Sequence, residues 1–363
     1  MSILEKINND KIIKELIFKN EEQDFINTGV LALNILYSGK LDGGIPKGKI
    51  SMMAGFSASS KSYQALKIIK NAQKKGMVAI LIDTEYAFDP NFAKQLKIDL
   101  NPNKLLVIQE NEIEKIQQVI MKAIKELTRE EKKNLLLVID SWGQLTTSKT
   151  RTDAELGKDT VDLTIAKKKN SLARLLTGIH PVTVFVTNQT YDSLSLYSLP
   201  VISGGQGIFY ASSSIVQATS KAMEKNNKGN VEGTIITLVA TKGRFVKEKV
   251  TKLKILIKYD SGINPYYGLL DDAIIGGYIT KFNQGWYSRS CIKDDKKWRE
   301  KEIYCKDFWN QIIKNTDFSE FIEKKYSFKQ AVLNELDEEE FNFEDNRDNK
   351  DNEDNKDNEV KND

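Results

Sequence analysis

The chain has 363 residues, 40% of them apolar and 29% charged, which fits a globular body of one or two domains. No apolar run approaches the ~20 residues of a membrane span, and the N-terminus carries acids early without the apolar stretch of a secretory signal. The net charge of +3 hides an asymmetry: residues 337–363 are net −9, so the other 336 residues carry +12, the balance of a body that attracts a polyanion.

Residues 3–17 place Ile3, Leu4, Ile7, Ile12, Ile13, Leu16 and Ile17 at roughly helical spacing, so an amphipathic helix is expected. A lone helix cannot make a core, and 1–27 reads as an oligomerisation helix and linker that docks on its own body or on a neighbour. Within 28–283, apolar runs at 50–54, 78–82, 105–108, 135–139 and 182–186 alternate with stretches of helical length such as 61–75 and 112–127. This alternation predicts an α/β core with a mostly parallel, buried sheet. The runs at 233–240 and 253–259 alternate strictly and have no long helix between them, which predicts an antiparallel extension of that sheet. Residues 284–335 are rich in aromatics and predict a small helical C-terminal subdomain. From 336 to 363 the chain is Asp-Asn-Lys-Glu low complexity and is expected to be a disordered acidic tail, either competing with a polyanion for the basic body or serving solubility.

Two cysteines, Cys291 and Cys305, are too few for a disulfide framework or a four-thiolate zinc site, and they suit a reducing cytoplasm. The single histidine, His180, excludes multi-histidine metal sites; in Gly-Ile-His-Pro it reads as a loop residue before a strand.

The run 50–54 leads into Gly55-Phe56-Ser57-Ala58-Ser59-Ser60-Lys61-Ser62 and then a helical stretch. This is nearly the phosphate-binding pattern GxxxxGK followed by Ser or Thr in its strand–loop–helix setting. Backbone N–H groups would surround phosphates, Lys61 would supply a point charge, and the Ser62 hydroxyl would reach Mg²⁺. Ser60 stands where a second glycine is expected, and the alternative is a Gly/Ser turn before a helix. The run 135–139 ends in Asp140, a position from which a carboxylate joins the Mg²⁺ shell. Glu85, in Asp83-Thr84-Glu85 after the run 78–82, reads either as the group orienting an attacking water or as a helix-capping carboxylate.

Several stretches resemble the RecA family, and within it the UvsX-type branch of T-even-like phages. They are residues 83–90, Asn188-Gln189, residues 202–212 and 261–264, and, for the phage branch, 43–48, 246–249, 264–271, 285–289, 297–299 and 308–309. The resemblance spans about residues 15–330. It implies a RecA-like ATPase using ATP and Mg²⁺ that exchanges DNA strands as a filament. Glu85 would be the catalytic carboxylate and Gln189 the γ-phosphate sensor. Phe92 would stack on adenine, Tyr266 would touch the neighbour's nucleotide, and Lys242 and Arg244 would reach the γ-phosphate from the adjacent protomer. The phage-branch loop also lacks glycine at the position of Ser60. The N-terminal helix, with Phe18 as a knob, would dock on the next subunit in an open, head-to-tail assembly.

The resemblance also implies two long loops facing the filament axis, 148–162 and 190–205. Lys149, Arg151 and Lys158 on the first, and Leu196, Tyr197, Gly204 and Gly205 on the second, would hold single-stranded DNA. Lys167 and Arg174 are seven apart on the following helix and share a face that would grip the backbone; a solvated basic face is the alternative. The expected partners are single- and double-stranded DNA, further copies of the chain, a single-strand-binding protein and a mediator, in a phage-infected bacterial cytoplasm. The rival readings are a hexameric helicase motor and a nucleotide-dependent DNA-binding regulator.

Overall fold

The computed structural model describes residues 22–158, 162–191, 199–226, 228–249, 251–283, 285–292 and 296–328. The expected N-terminal helix with Phe18, the loop residues Leu196 and Tyr197, and the acidic tail lie outside the described residues.

The first half of the chain forms β1 (Phe25–Ile26), α1 (Leu31–Ser38), β2 (Ile45–Pro46), β3 (Ile50–Gly55), α2 (Lys61–Lys74), β4 (Val78–Asp83), α3 (Pro90–Gln95), β5 (Leu105–Gln109), α4 (Ile113–Lys125), α5 (Arg129–Lys133) and β6 (Leu135–Asp140). Then come α6 (Ser148–Glu155), α7 (Ile165–Gly178), β7 (Thr183–Tyr191), β8 (Val201–Ile202), α8 (Gln206–Ala211), β9 (Ser214–Lys225), β10 (Val231–Gly243), β11 (Lys252–Lys258) and β12 (Gly262–Ile263). The C-terminal part holds α9 (Leu270–Ile275), β13 (Ile279–Phe282), β14 (Trp286–Arg289), β15 (Trp298–Arg299), α10 (Lys306–Asn315) and α11 (Phe318–Tyr326).

A ten-stranded sheet runs in the order β12-β11-β10-β9-β3-β7-β6-β4-β5, with β8 added on β7. From β9 to β5 every neighbouring pair is parallel, and β10 to β12 extend the sheet antiparallel. Most of the apolar runs become interior strands because both of their faces are covered: every residue of β3 is buried, as are the first five of β6, while β5 forms the partly exposed edge. One layer of cover comes from α2, which buries Ala65, Ile68, Ile69 and Ala72 on one stripe. The other comes largely from α4, with Ile113, Ile116, Ile120 and Ile124, and α7, with Leu172, Ala173 and Leu176.

The C-terminal segment corrects the expectation of a helical subdomain. Its first part is a three-stranded antiparallel sheet, β13-β14-β15, that starts at Ile279, and only then do α10 and α11 follow. Aromatic content did not separate the two, since Trp and Tyr favour strands at least as well as helices. Here Tyr287 faces Trp298 across the strands, and Phe308, Trp309 and Phe318 close a buried aromatic cluster. This part is tied to the core by a bridge between Val246 and Ser327 and by the Lys40–Glu323 ion pair at 2.8 Å.

Candidate functional site

Parallel register brings the carboxyl ends of four strands together: Gly55 of β3 lies beside Gln189 of β7, and Asp83 of β4 beside Asp140 of β6. Such strand ends are where open α/β sheets bind ligands. The loop after β3 turns back with Ala58 at φ 59° and Ser60 at φ 66°, the left-handed region in which a non-glycine residue costs about 1–2 kcal/mol. Ser60 thus adopts the backbone that a glycine would take in this loop, and its buried hydroxyl has no partner among the described residues. Gly55 has a packing reason as well, because a Cβ there would lie 2.7 Å from Ala218 Cβ.

The Lys61 ammonium sits inside this loop and donates to the carbonyls of Gly55 (3.0 Å) and Phe56 (2.9 Å). Burial pulls its pKa down, against the attraction of Asp140 and Glu85. A desolvated cation wrapped by backbone, with exposed Ser57, Ala58 and Ser62 at the rim, fits a polyphosphate. Asp140 accepts hydrogen bonds from the hydroxyls of Thr187 and Ser62, while burial pushes its pKa above the ordinary carboxylate value, with Glu85 and Asp83 adding repulsion. Among the described residues no group of three or more His, Cys, Asp or Glu side chains could hold a metal ion by itself. The pair Ser62 and Asp140 therefore suits a hard cation that keeps water and phosphate oxygens in its shell, as Mg²⁺ does.

Glu85 projects from the apex of the turn after β4, exposed, and accepts from Ser141 Oγ at 2.7 Å. The turn beneath it is held from inside. Asp83 accepts from the N–H groups of Ala87 (3.2 Å) and Phe88 (3.0 Å), and Thr84 exchanges hydrogen bonds with the backbone of Ser141. Asp89, not Glu85, caps α3, accepting from Asn91 N at 2.8 Å, so Glu85 is left without a capping task. Phe92 is 38% exposed on α3, 5.9 Å from the ring of Tyr63. Tyr63, directly after Lys61-Ser62, went unnoticed in the sequence; its signal was an aromatic in the first turn after the loop.

Tyr266 is half-buried, its N–H bound to Asn264 Oδ1 at 2.9 Å. Lys242 is turned toward its own α8, donating to the carbonyls of Phe209 (3.0 Å) and Tyr210 (2.9 Å). Arg244 is exposed at the end of β10. Among the described residues these three make no hydrogen bond or ion pair with the loop at 55–62.

Gln189 begins the second loop at the end of β7. Both ends of that loop are pinned: Ser203 N donates to Gln189 O (2.9 Å), Asn188 Nδ2 to Ser203 O (2.8 Å), and Trp142 Nε1 to Gly204 O (3.1 Å). Gly204 has φ 81°, and a Cβ on it would lie 2.6 Å from the Trp142 ring. Gly205 beside it is exposed. Trp142 and Asn188 anchor the loop; Asn188 stands out in the sequence only as the neighbour of Gln189, and the signal for Trp142 was a tryptophan two residues after Asp140.

The first loop is not structureless throughout, because residues 148–155 form α6, capped by Thr147. Its far end returns to its start through Asp162, whose carboxylate accepts from Thr164 N (2.8 Å) and from the hydroxyls of Thr164, Thr150 and Thr147. These donors hold the Asp162 pKa well below the usual carboxylate range, led by Thr147 and Thr164. Lys149, Lys158, Lys167 and Arg174 are exposed. Of the two neighbours of Lys167, Lys168 pairs with Glu114 at 3.3 Å and Lys169 is buried, donating to Gly143 O at 3.3 Å. Arg151 keeps an exposed side chain but is bonded to Asn111 Oδ1 at 2.9 Å and Glu110 Oε1 at 3.4 Å. His180 is an exposed loop residue bound through Nδ1 to Gly48 O at 2.9 Å, with no carboxylate or other side-chain partner among the described residues.

The RecA N-terminal domain family matches residues 1–264, and the C-terminal domain family of the bacteriophage T4 recombination and repair protein matches residues 266–322. The Enterobacteria phage T4 "Recombination and repair protein" is 29% identical over 354 residues, covering 93% of this chain and 88% of the relative. Protein RecA of Streptomyces coelicolor is 27% identical over 322 residues, 86% of this chain and 79% of its own length. Protein RecA of Chlorobaculum parvum is 30% identical over 272 residues, 72% of this chain and 73% of its own length.

Proposed function

The chain belongs to the RecA family, and from that premise we propose that it is an ATP-dependent recombinase, filamentous on single-stranded DNA, that exchanges strands with a homologous duplex. The observation that carries this reading is one shared strand, β7. It borders β3 with its phosphate-type loop on one side and β6 with Asp140 on the other, and it runs through Gln189 into the second loop.

ATP with Mg²⁺ would supply the phosphoryl group to be transferred. Lys61 and the backbone of 55–62 hold its phosphates, Ser62 and Asp140 hold the metal, and Phe92 packs on the base. Glu85, the exposed carboxylate at its turn, orients a water and accepts its proton, which is general-base work. Gln189 reports the phosphate end to the second loop through the Asn188–Ser203 pair. Lys242 and Arg244 act from the neighbouring protomer, and Tyr266 touches that neighbour's nucleotide. Lysine at 242 must first leave the α8 carbonyls, so hydrolysis depends on assembly. Lys149, Lys158, Lys167 and Arg174, with Leu196, Tyr197, Gly204 and Gly205, hold the strand. Sequence specificity then belongs to base pairing, and the protein contributes charge and shape.

Among the described residues no helix is long and apolar enough to cross a membrane. The proposed setting is the cytoplasm of a phage-infected bacterium, with a single-strand-binding protein and a mediator as partners. A strand-pairing assay tests the function: the wild type joins single-stranded DNA to a homologous duplex with ATP, and Lys61→Ala does not. Binding of DNA without homologous pairing by the wild type would favour a nucleotide-dependent regulator.

A further inference from the structure

We propose that the outer face of the three-stranded sheet β13-β14-β15 is a further contact for single-stranded DNA, where Phe282 and Trp286 take unpaired bases and Lys297 and Arg299 take the backbone. It lies beyond the two loops to which the functional reading assigns the strand, and it rests on that reading only for the identity of the polyanion. The stretches 285–289 and 297–299, conspicuous in the sequence, are given no task by that reading.

Strand register sorts the sheet into two faces. Lys281 lies opposite Tyr287, and Tyr287 opposite Trp298. That face packs inward: Tyr287 is buried, and the Trp298 ring meets Phe308 edge-on at 5.4 Å. Side chains alternate along a strand, so the neighbouring row points the other way. This row is Phe282 opposite Trp286, and Trp286 opposite Arg299. Lys297, one residue before Trp298, shares its side. Phe282 is 39% exposed, Trp286 is half-buried, and Lys297 and Arg299 are exposed.

Each ring of the outer face carries a cation. The Arg299 guanidinium carbon lies 4.9 Å from the centre of the Trp286 ring, and Lys297 Nζ lies 5.1 Å from the centre of the Phe282 ring. Neither cation pairs with a carboxylate among the described residues. A cation seated on a ring keeps its outer side for a phosphate, and a guanidinium plane on an indole extends the flat surface on which a base can lie. Strands spaced ~4.8 Å apart make this platform ~10 Å across, room for a short stretch of strand. A duplex hides its base faces in its own stack and would use only the charges. An acidic peptide would likewise leave the rings without a stacking partner. Aromatic faces interleaved with unpaired cations therefore match unpaired bases on a phosphate backbone.

The test uses the full chain with a slowly hydrolysed ATP analogue and three labelled probes: oligo-dT, an abasic deoxyribose-phosphate strand of the same length, and duplex DNA. Anisotropy titrations at several salt concentrations compare the wild type with Phe282→Ala, Trp286→Leu, Arg299→Ala and Arg299→Lys. Trp286→Leu is expected to weaken oligo-dT binding about tenfold, the size of one lost base–aromatic stack, and to leave abasic binding unchanged; Phe282→Ala acts in the same direction. Arg299→Ala is expected to flatten the salt slope by about 0.7 on both single-strand probes, and Arg299→Lys to restore it. Phe282 and Arg299 are surface side chains, so their variants keep the wild-type melting temperature and the readout stands even if Trp286→Leu loosens the sheet. A 5-bromouracil strand photo-cross-linked to the wild type is expected to leave an adduct within residues 282–299. Wild-type affinity and slope in the variants, with cross-links confined to residues 148–162 and 190–205, overturn the proposal. So does a loss of duplex affinity alone, which marks a surface for paired DNA. A wild type that binds none of the three probes overturns the functional reading beneath it, a result distinct from the other two.

Discussion

The proposed phosphate end of the sheet and the proposed nucleic-acid face are built by different means. At the phosphate end, Asp140 ends a buried strand, Lys61 and Ser62 open the helix that follows β3, and Glu85 stands in the turn after β4, each tied to a named partner. On the proposed nucleic-acid face the fixed parts are anchors, Trp142, Asn188, Ser203, Thr147 and Asp162, while Lys149, Lys158, Lys167 and Arg174 are exposed. Chemistry that needs sub-ångström placement sits at the ends of rigid strands and in the helix turn that follows one, and contacts that must follow a flexible polymer sit between rigid anchors.

The sharpest way to break this comparison is at the phosphate end. Lys61→Ala is expected to lower ATP hydrolysis by a factor of about 10²–10³, the loss typical of removing one preorganised charge. Residual hydrolysis near wild type would mean that the loop is a turn and nothing more. Next in size is an anchor. Gly204→Val places a Cβ on a left-handed backbone 2.6 Å from Trp142. It is expected to weaken single-stranded DNA binding by about 1–3 kcal/mol through strain at the loop base, with nucleotide affinity retained; anisotropy titrations of both ligands check it.

Smaller effects are expected from the solvated cations. Lys167→Ala and Arg174→Ala should each reduce the slope of log affinity against log salt by about 0.7, with little change in melting temperature. An unchanged slope would make them a solvated face. The smallest effect concerns the Asp162 clasp. Because its carboxyl is held ionised by hydrogen bonds, its contribution is full above the ordinary carboxylate pKa and is lost only as the pH falls below it. Protease protection of residues 147–164 in the wild type should therefore be level from pH 5 to 8, a window set by that direction of shift. Asp162→Asn should lower it throughout.

Much of this was legible in the sequence because the signals are contiguous. The five apolar runs are the five strands β3 to β7, with β5 at the edge, and the order strand, Gly55–Ser62, helix locates the loop without a structure. The wide antiparallel extension was also readable, from the strict alternation at 233–240 and 253–259. Long-range pairing was not. That Thr187 would face Asp140, that Asp89 and not Glu85 would cap α3, or that Arg151 would bond Asn111 depends on strands and loops distant in the chain. The three-stranded sheet at the C-terminus was missed for another reason: Trp286, Tyr287 and Trp298 announce burial, and burial alone does not choose between helix and strand.

The central claim is that nucleotide held at Lys61 organises copies of the chain along a DNA strand. Negative-stain electron microscopy of the protein with single-stranded DNA and a slowly hydrolysed ATP analogue tests it most directly. Regular helical filaments that require the nucleotide and vanish in Lys61→Ala are the expected result. Closed rings, or identical coating of DNA with and without nucleotide, would contradict it.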